Sequence, residues 1–299
     1  MTPEYLMWNS VADDVAPRFI LLSTFTFFLY IIKFTLAVLF LFVTASAVYI
    51  SHNHCDAALQ VNHFNYTATG GPLNWYGLNP DANSACAKGT RQSPIVIYPR
   101  KIGSVRPGTL KLNIPRAYHA KFENLGFGLE VILHKGTLTV ESKTYRLVQF
   151  HFHTPSEHRV NDEYYPMEAH FVFQSSEKKH AVVGFLFELS DFGYSFALFG
   201  HIFDLVGEIE HPGTHTYTGE MDFTELSHHL TTHRIYKYSG SLTTPPCSED
   251  VAWYVSSEPV YLTVHDYNKV KKVLKYNARY TQNFLGEENL LEIAAHELC

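Results

Sequence analysis

The densest chemistry in the chain lies in Gln149-Phe150-His151-Phe152-His153-Thr154-Pro155-Ser156-Glu157-His158. Arg146–His153 alternates, the pattern of a half-buried strand. Val148, Phe150 and Phe152 share one face, while Gln149, His151 and His153 share the other. Histidines at i and i+2 of a strand have Cα atoms roughly 6.6 Å apart. Their rings can converge on one ion, because tetrahedral zinc with bonds of about 2.0–2.1 Å needs donor nitrogens only about 3.3 Å from each other. A third donor must come from a neighbouring strand, and Glu168-Ala169-His170-Phe171-Val172 supplies one in the same alternation. Residues 154–167 between them hold Pro155, Asn161, Asp162 and Pro166, which is connector chemistry. An H-x-H pair alone is weak, since exposed strand histidines are commoner than metal pairs. The company changes the odds: Gln149 and Glu168 stand two residues before His151 and His170, where they can accept the second ring N–H of a metal-bound imidazole. Three neutral histidines leave zinc its full 2+ charge and an open fourth position, the arrangement of a catalytic site.

The elements that must hold these residues follow from the same reading. Leu129–Leu133, Thr137–Glu141, Arg146–His153, Glu168–Phe173, His180–Glu188 and Val251–Val255 are β-branched, aromatic and alternating, with Gly126, Gly128, Gly136, Pro155, Pro166 and Gly184 as punctuation. Helical periodicity is confined to short pieces, Phe196–Leu205 and Val264–Tyr276. The pattern predicts a mostly-β or sheet-dominated α+β domain. The 299 residues carry 23 Lys+Arg against 29 Asp+Glu, a net charge of −6. No basic surplus exists to neutralise phosphates, so nucleic acid is not an expected partner. A 46% hydrophobic and 15% aromatic content provides a sizeable core and excludes a disordered chain. The 18 histidines, nearly as many as the 23 lysines and arginines together, direct attention to metal or proton chemistry.

Residues 1–17 are polar and irregular, and Phe19 to Ile50 form an apolar stretch with Ser23, Thr24 and Thr26 inside it and one charge, Lys33, interrupting it. Lys33, then Phe34–Val48 with Ala45-Ser46-Ala47 inside it, reads as the charged, apolar and cleavage regions of a secretory signal. The segment 19–32 before it is short for the roughly 20 residues a bilayer needs. Cleavage near Ala47 is the expectation, with an uncleaved signal-anchor as the alternative. The chain thus divides into a leader, 1–47, and one globular domain, 48–299. The product is expected outside the cell, and membrane contact only if the leader stays. Cys55, Cys86, Cys247 and Cys299 are an even number behind an export signal and show no CxxC spacing, which favours disulfides over a cysteine metal site. Asn65-Tyr66-Thr67 is the only sequon and becomes a glycosylation site in an exported chain.

Gln149–His153 with Ser156-Glu157-His158, then Glu168-x-His170, Gly240-Ser241-Leu242-Thr243-Thr244-Pro245-Pro246-Cys247, and the upstream Gln92-Ser93-Pro94-Ile95 together resemble the α-class carbonic anhydrases, nearest their secreted fungal branch. The match runs from about Asn74-Trp75 to Asn277-Ala278-Arg279. The resemblance implies a single domain around a twisted, mainly antiparallel ten-stranded sheet with short peripheral helices. It implies reversible hydration of CO2 to bicarbonate and a proton by attack of zinc-bound hydroxide, with ester hydrolysis as a secondary activity. His151, His153 and His170 would bind Zn2+, with Gln149 and Glu168 behind His151 and His170. Thr243 would accept a hydrogen bond from the hydroxide and donate its own to Glu157. Thr244 would contact bicarbonate, and Val172, Val182, Leu242, Val251 and Trp253 would form the apolar wall for CO2. Cys86 and Cys247 match the disulfide of the extracellular members, and Cys55 with Cys299 is a further pairing we expect. A homodimer is compatible with the resemblance. In this family zinc takes the pKa of its water from about 15.7 to about 7, on the order of 12 kcal/mol of hydroxide stabilisation.

Two departures stand out. The fast members carry a rim histidine in the stretch that aligns with Gly126-Phe127-Gly128, and Phe127 cannot relay a proton. Turnover is therefore expected to be limited by proton export, unless Tyr76 or a histidine not yet placed carries the proton. Tyr76-Gly77 also stands where many members have Gly-Tyr, which leaves one tyrosine of the water network unassigned.

Overall fold

Phe150 and Phe152 alternate with His151 and His153, so one face of this strand must find an apolar layer and the other is left for a cleft. The structure, a computed structural model, describes residues 64–297 and is built on that division. The expected leader with its boundary at 47/48, and Cys55 and Cys299, lie outside the described residues. The strands that position the site are β1 (Lys121–Asn124), β2 (Leu129–Ile132), β3 (Lys143–His153), β4 (Met167–Gln174), β5 (His180–Leu189), β6 (His215–Tyr217), β7 (Ile235–Ser241) and β8 (Glu249–Ser256). They lie in the order β6-β1-β2-β3-β4-β5-β8-β7, with Gly103–Val105 beyond β7.

Lys111–Asn113, Thr137–Val140 and Val260–Leu262 extend the sheet to twelve strands rather than ten. These short segments satisfy their backbone groups by pairing at its margins. The sheet is also mixed: β5 pairs in parallel with both β8 and Val260–Leu262. Parallel neighbours need a long crossover, and the helices α1 (Ala197–Phe203) and α2 (Thr224–Thr232) lie in the connection between β5 and β8. β3 starts before the expected Arg146, because Glu141 and Ser142 adopt φ of 48° and 66° and close a two-residue hairpin with Val140 opposite Lys143.

Phe150, Phe152, Phe171, Phe173, Phe185 and Phe187 are all buried in the main core, where they meet Phe199 and Phe203 of α1 and Leu226 and Leu230 of α2. Phe150 stacks on Phe171 at 4.5 Å between centroids, across the β3–β4 ladder. Burying a phenylalanine contributes about 1.5–3 kcal/mol, so a one-residue slip that turned this row outward would be prohibitive. The same register therefore sets His151 opposite His170. α3 (Val264–Leu274) begins with Thr263 Oγ1 accepting from Asp266 N–H at 3.1 Å, a side-chain cap that satisfies one of the orphan donors of the first turn. Among the described residues, no helix is long and apolar enough to cross a membrane.

His229 on α2 illustrates the cost of an interior histidine. Its Nε2 lies 2.9 Å from Ser256 Oγ and 3.1 Å from the Glu258 carbonyl, and burial with the neighbouring His233 pushes its pKa down to about 4. The unfolded chain takes up this proton near pH 6.5 and the folded chain near 4, so stability is full above the first value and falls as pH drops between them. Allowing for partial solvent screening, we expect about 2 kcal/mol from this residue. Thermal unfolding of wild type and His229→Gln between those pH values checks it; equal slopes would refute the assignment.

Candidate active site

β3 and β4 bring His151, His153 and His170 together, with one donor nitrogen from each within 4.8 Å of the others. His153 is opposite Glu168 and His170 opposite His151 in the ladder, so the three rings rise from the same face of two adjacent strands. Each ring has a protein oxygen on its far side, hydrogen-bonded for His151 and His153 and close by for His170, whose Nε2 meets no hydrogen-bond geometry. His151 Nδ1 lies 2.8 Å from Gln149 Oε1, His153 Nδ1 lies 2.8 Å from the Asn277 carbonyl, and His170 Nε2 lies 2.9 Å from Glu168 Oε1. That leaves Nε2 of His151, Nε2 of His153 and Nδ1 of His170 for the cavity. Burial, then the mutual repulsion of the rings, holds His151 well below its ordinary pKa; burial lowers His153 despite the opposing charge of Glu157. Both are neutral at pH 7, the form that ligates a metal. His153 Nε2 is buried without a hydrogen-bond partner. An orphaned acceptor of this kind costs free energy unless a ligand uses it, and the donor set fits zinc.

Glu168 and Glu157 are fully buried. Glu168 Oε2 accepts from the Glu157 and His158 N–H groups at 2.9 and 2.8 Å, and His158 Nδ1 lies 2.6 Å from Oε1. Burial raises its pKa, but His158 and His170 outweigh burial and hold the carboxyl well below the usual range. His158 Nε2 in turn lies 2.6 Å from Tyr238 Oη, which lies 2.9 Å from Ser93 Oγ. Glu157 Oε1 accepts the Arg279 N–H at 2.8 Å. Its Oε2 has no hydrogen-bond partner and leans toward His153 Nε2 at 3.5 Å and His170 Nδ1 at 3.9 Å. The expected Thr243–Glu157 hydrogen bond is thus not formed in this arrangement, because Oε2 faces the imidazoles.

The space above the rings has two lobes. One, about 170 Å³, is lined by Phe64, Tyr66, Phe127 and Glu130 beside His151 and His153. The other, about 220 Å³, is lined by Val172, His180, Val182, Leu242, Thr243 and Trp253 beside His151 and His170. Thr244 borders both. Trp253 is also core, donating Nε1–H to the Ser241 carbonyl at 2.9 Å. Val251 is not among the residues lining the lobe; it is buried in one apolar cluster with Val182, Tyr238 and Trp253. Cys86 and Cys247 form a disulfide, and Cys247 N–H donates to the Thr244 carbonyl at 2.8 Å, which ties the threonine loop to the helix Ser84–Lys88. Phe127 packs on Phe64 at 4.4 Å. Tyr76 lies under Lys88 and is not part of either lobe.

Several residues here were not singled out from the sequence. Asn277 and Arg279 act through a backbone carbonyl and a backbone N–H, which no side-chain pattern announces. Arg279 is fully buried, and its guanidinium donates to Gln92 Oε1, the Ser93 carbonyl and the Cys86 carbonyl at 3.0, 2.8 and 3.2 Å. Tyr66 and Glu130 enter from outside the histidine motif. Burial, then the facing Glu123 carboxylate, pushes Glu130 up to about 7. His180 did have a signal: it precedes Val182 by two on an alternating strand.

A mostly-β fold whose mixed sheet bears a histidine trio that could hold a metal ion defines the class of this protein. The sequence model of the family described as eukaryotic-type carbonic anhydrase matches residues 70–290. Alpha carbonic anhydrase 5 of Arabidopsis thaliana is 31% identical over 234 residues, covering 73% of this chain and 79% of that protein. The solved structure of the fungal alpha carbonic anhydrase from Aspergillus oryzae is 59% identical, with a TM-score of 0.77 over 79% of this chain and all (100%) of that one. The enzyme from Thermovibrio ammonificans, solved with the inhibitor sulfanilamide, is 32% identical with a TM-score of 0.67, over 76% of this chain and 98% of that one. The chain belongs to the eukaryotic-type, or α, carbonic anhydrase family. It is a carbonic anhydrase, and its substrate is a small molecule.

Proposed function

We propose that the chain is an exported zinc enzyme that interconverts CO2 with bicarbonate and a proton. The observation that carries this reading is the convergence of three imidazoles, each with one nitrogen beside a protein oxygen and the other turned to a common point. Zinc held there supplies a water-derived nucleophile at neutral pH. The protein's own residues do the rest. Glu157 is acceptor-only when ionised, and its Oε2 is free. A hydroxyl that reaches it must donate, so its own lone pairs face the cavity and take a proton donor from the substrate side. Thr243, lining the lobe and 5% exposed, is the hydroxyl we assign to this, although Oε2 here leans toward the imidazoles and the bond is not made. Ligands unable to donate are thereby disfavoured. Thr244 orients bicarbonate, and Val172, Val182, Leu242 and Trp253 hold CO2, which has no dipole and gains from an apolar wall.

Metal analysis with stopped-flow CO2 hydration on the exported form tests the reading. A zinc-loaded chain that hydrolyses esters but does not hydrate CO2 would refute it. Val182→Phe, which fills the lobe of about 220 Å³, should keep its zinc and lose about tenfold or more in kcat/KM, since crowding costs about 1–3 kcal/mol. Unchanged kcat/KM would remove Val182 from the CO2 wall.

Export is supported by the leader pattern and by the Cys86–Cys247 bond, which persists in oxidising compartments. Asn65 is exposed, and its Oδ1 accepts from Thr67 N–H at 2.8 Å, so the side chain is presented on a surface turn suited to glycosylation.

A further inference from the structure

Hydration of CO2 releases a proton that must leave a partly enclosed cleft, and Phe127 offers no site for it. Histidine is the side chain whose ordinary pKa suits that task near neutral pH. His180 stands on the opposite wall. It begins β5, and the β4–β5 ladder pairs His170 with Gly184, Val172 with Val182 and Gln174 with His180. Side chains two apart on a strand share a face, so His180 rises on the same face as His170. It stands four residues, or about 13 Å, along the strand from the ligand's row. It lines the lobe of about 220 Å³ together with His170 and Thr243. The lobe has room for several waters beside the ring. The ring is half-buried and adjoins the exposed turn at Glu177–Lys179, so it touches both the cleft and bulk solvent.

We propose that His180 is the proton acceptor of the cleft. This rests on the carbonic anhydrase reading above and adds a residue to it. Water in the lobe passes one proton to the lone pair of the neutral ring, forming the N–H of an imidazolium. That proton then goes to buffer, and the neutral ring is restored. The partner of the ring suits both states. Gln174 Nε2 lies 3.1 Å from His180 Nε2, so the amide donates to the neutral ring, and by turning end for end it presents its oxygen to the protonated one. Burial lowers the His180 pKa, and no charged side chain contributes. From β4 it faces Gln174; on the β8 side Asp250 is paired with Arg91 at 2.9 Å; across the lobe are His151 and His170. Glu130 is the rival titrating group. It sits opposite His151 in the β2–β3 ladder, where a 2+ ion favours its ionised form and makes it a poor acceptor.

Five measurements test the assignment. In His180→Ala and in His180→Gln, kcat at low buffer should fall about tenfold or more. kcat/KM should stay within about twofold of wild type, because only the proton step is removed. Imidazole should restore kcat in both variants and change wild type little. In histidine-labelled protein, with and without zinc, the His180 ring resonance should titrate with a midpoint below the ordinary histidine value, because the ring is half-buried. Wild-type kcat should fall as pH drops through that midpoint, since a protonated ring cannot accept. Buffer-indifferent kcat in both variants, a ring that does not titrate below the ordinary histidine midpoint, or loss of kcat in Glu130→Gln instead would each overturn the assignment alone. A zinc-loaded wild type that does not hydrate CO2 overturns the enzymatic reading itself, and this proposal with it.

Discussion

His153→Ala is expected to abolish stoichiometric zinc binding and to reduce kcat/KM by more than about 100-fold, the upper end of what loss of even an outer partner of a metal ligand costs. His153 is 2% exposed, and its Nδ1 is fixed by the Asn277 carbonyl at 2.8 Å. Its Nε2 has no hydrogen-bond partner, so the substitution removes one of the three convergent ring nitrogens and little else. It vacates a small volume and releases one carbonyl, a modest change beside the loss of one of three ligands. Gln149→Ala should weaken zinc about 10–100-fold, because it frees the His151 ring without removing it. Zinc per chain, with unfolding midpoints as a control for folding, checks both. Full zinc and full activity in His153→Ala would show the ligand set to be wrong.

Much of this site was legible in the chain because a strand has a period of two. His151 and His153 must share a face, and Gln149 and Glu168 must stand beside His151 and His170, which they precede by two. The same rule reaches His180 from Val182. The partners of strands are less legible. Nothing in His180–Leu189 says that β8 lies parallel beside it, since the apolar run serves either direction. Contacts made through the backbone are the least legible of all. The Asn277 carbonyl and the Arg279 N–H come from more than 120 residues away, at separations of 124 and 122. Val251 shows the opposite failure: its alternation with Trp253 is real, but a shared face does not decide which side chain reaches the cavity and which is buried without lining it.

Removal of the Cys86–Cys247 bond carries the largest expected effect on stability. The two cysteines are fully buried and 161 residues apart. Closing a loop of that length in the unfolded chain is worth about 5 kcal/mol in the chain-entropy account, and measured losses run about 2–5. Domains have only about 5–15 kcal/mol in total, so the reduced protein should be marginal. Activity should respond less. The loop that carries Thr243 keeps other ties: Cys247 N–H donates to the Thr244 carbonyl at 2.8 Å, Leu242 N–H to the Ser248 carbonyl at 2.9 Å, and Gln92 Nε2 to the Cys247 carbonyl at 3.1 Å. The double variant Cys86→Ala/Cys247→Ala leaves no odd thiol and isolates the effect. Its denaturant midpoint should drop by the equivalent of about 2–5 kcal/mol, while kcat/KM of the folded fraction stays within a few-fold of wild type. An unchanged midpoint would mean that the bond does not restrict the unfolded chain. A collapse of kcat/KM in fully folded protein would mean that the disulfide, rather than these hydrogen bonds, holds Thr243 in place.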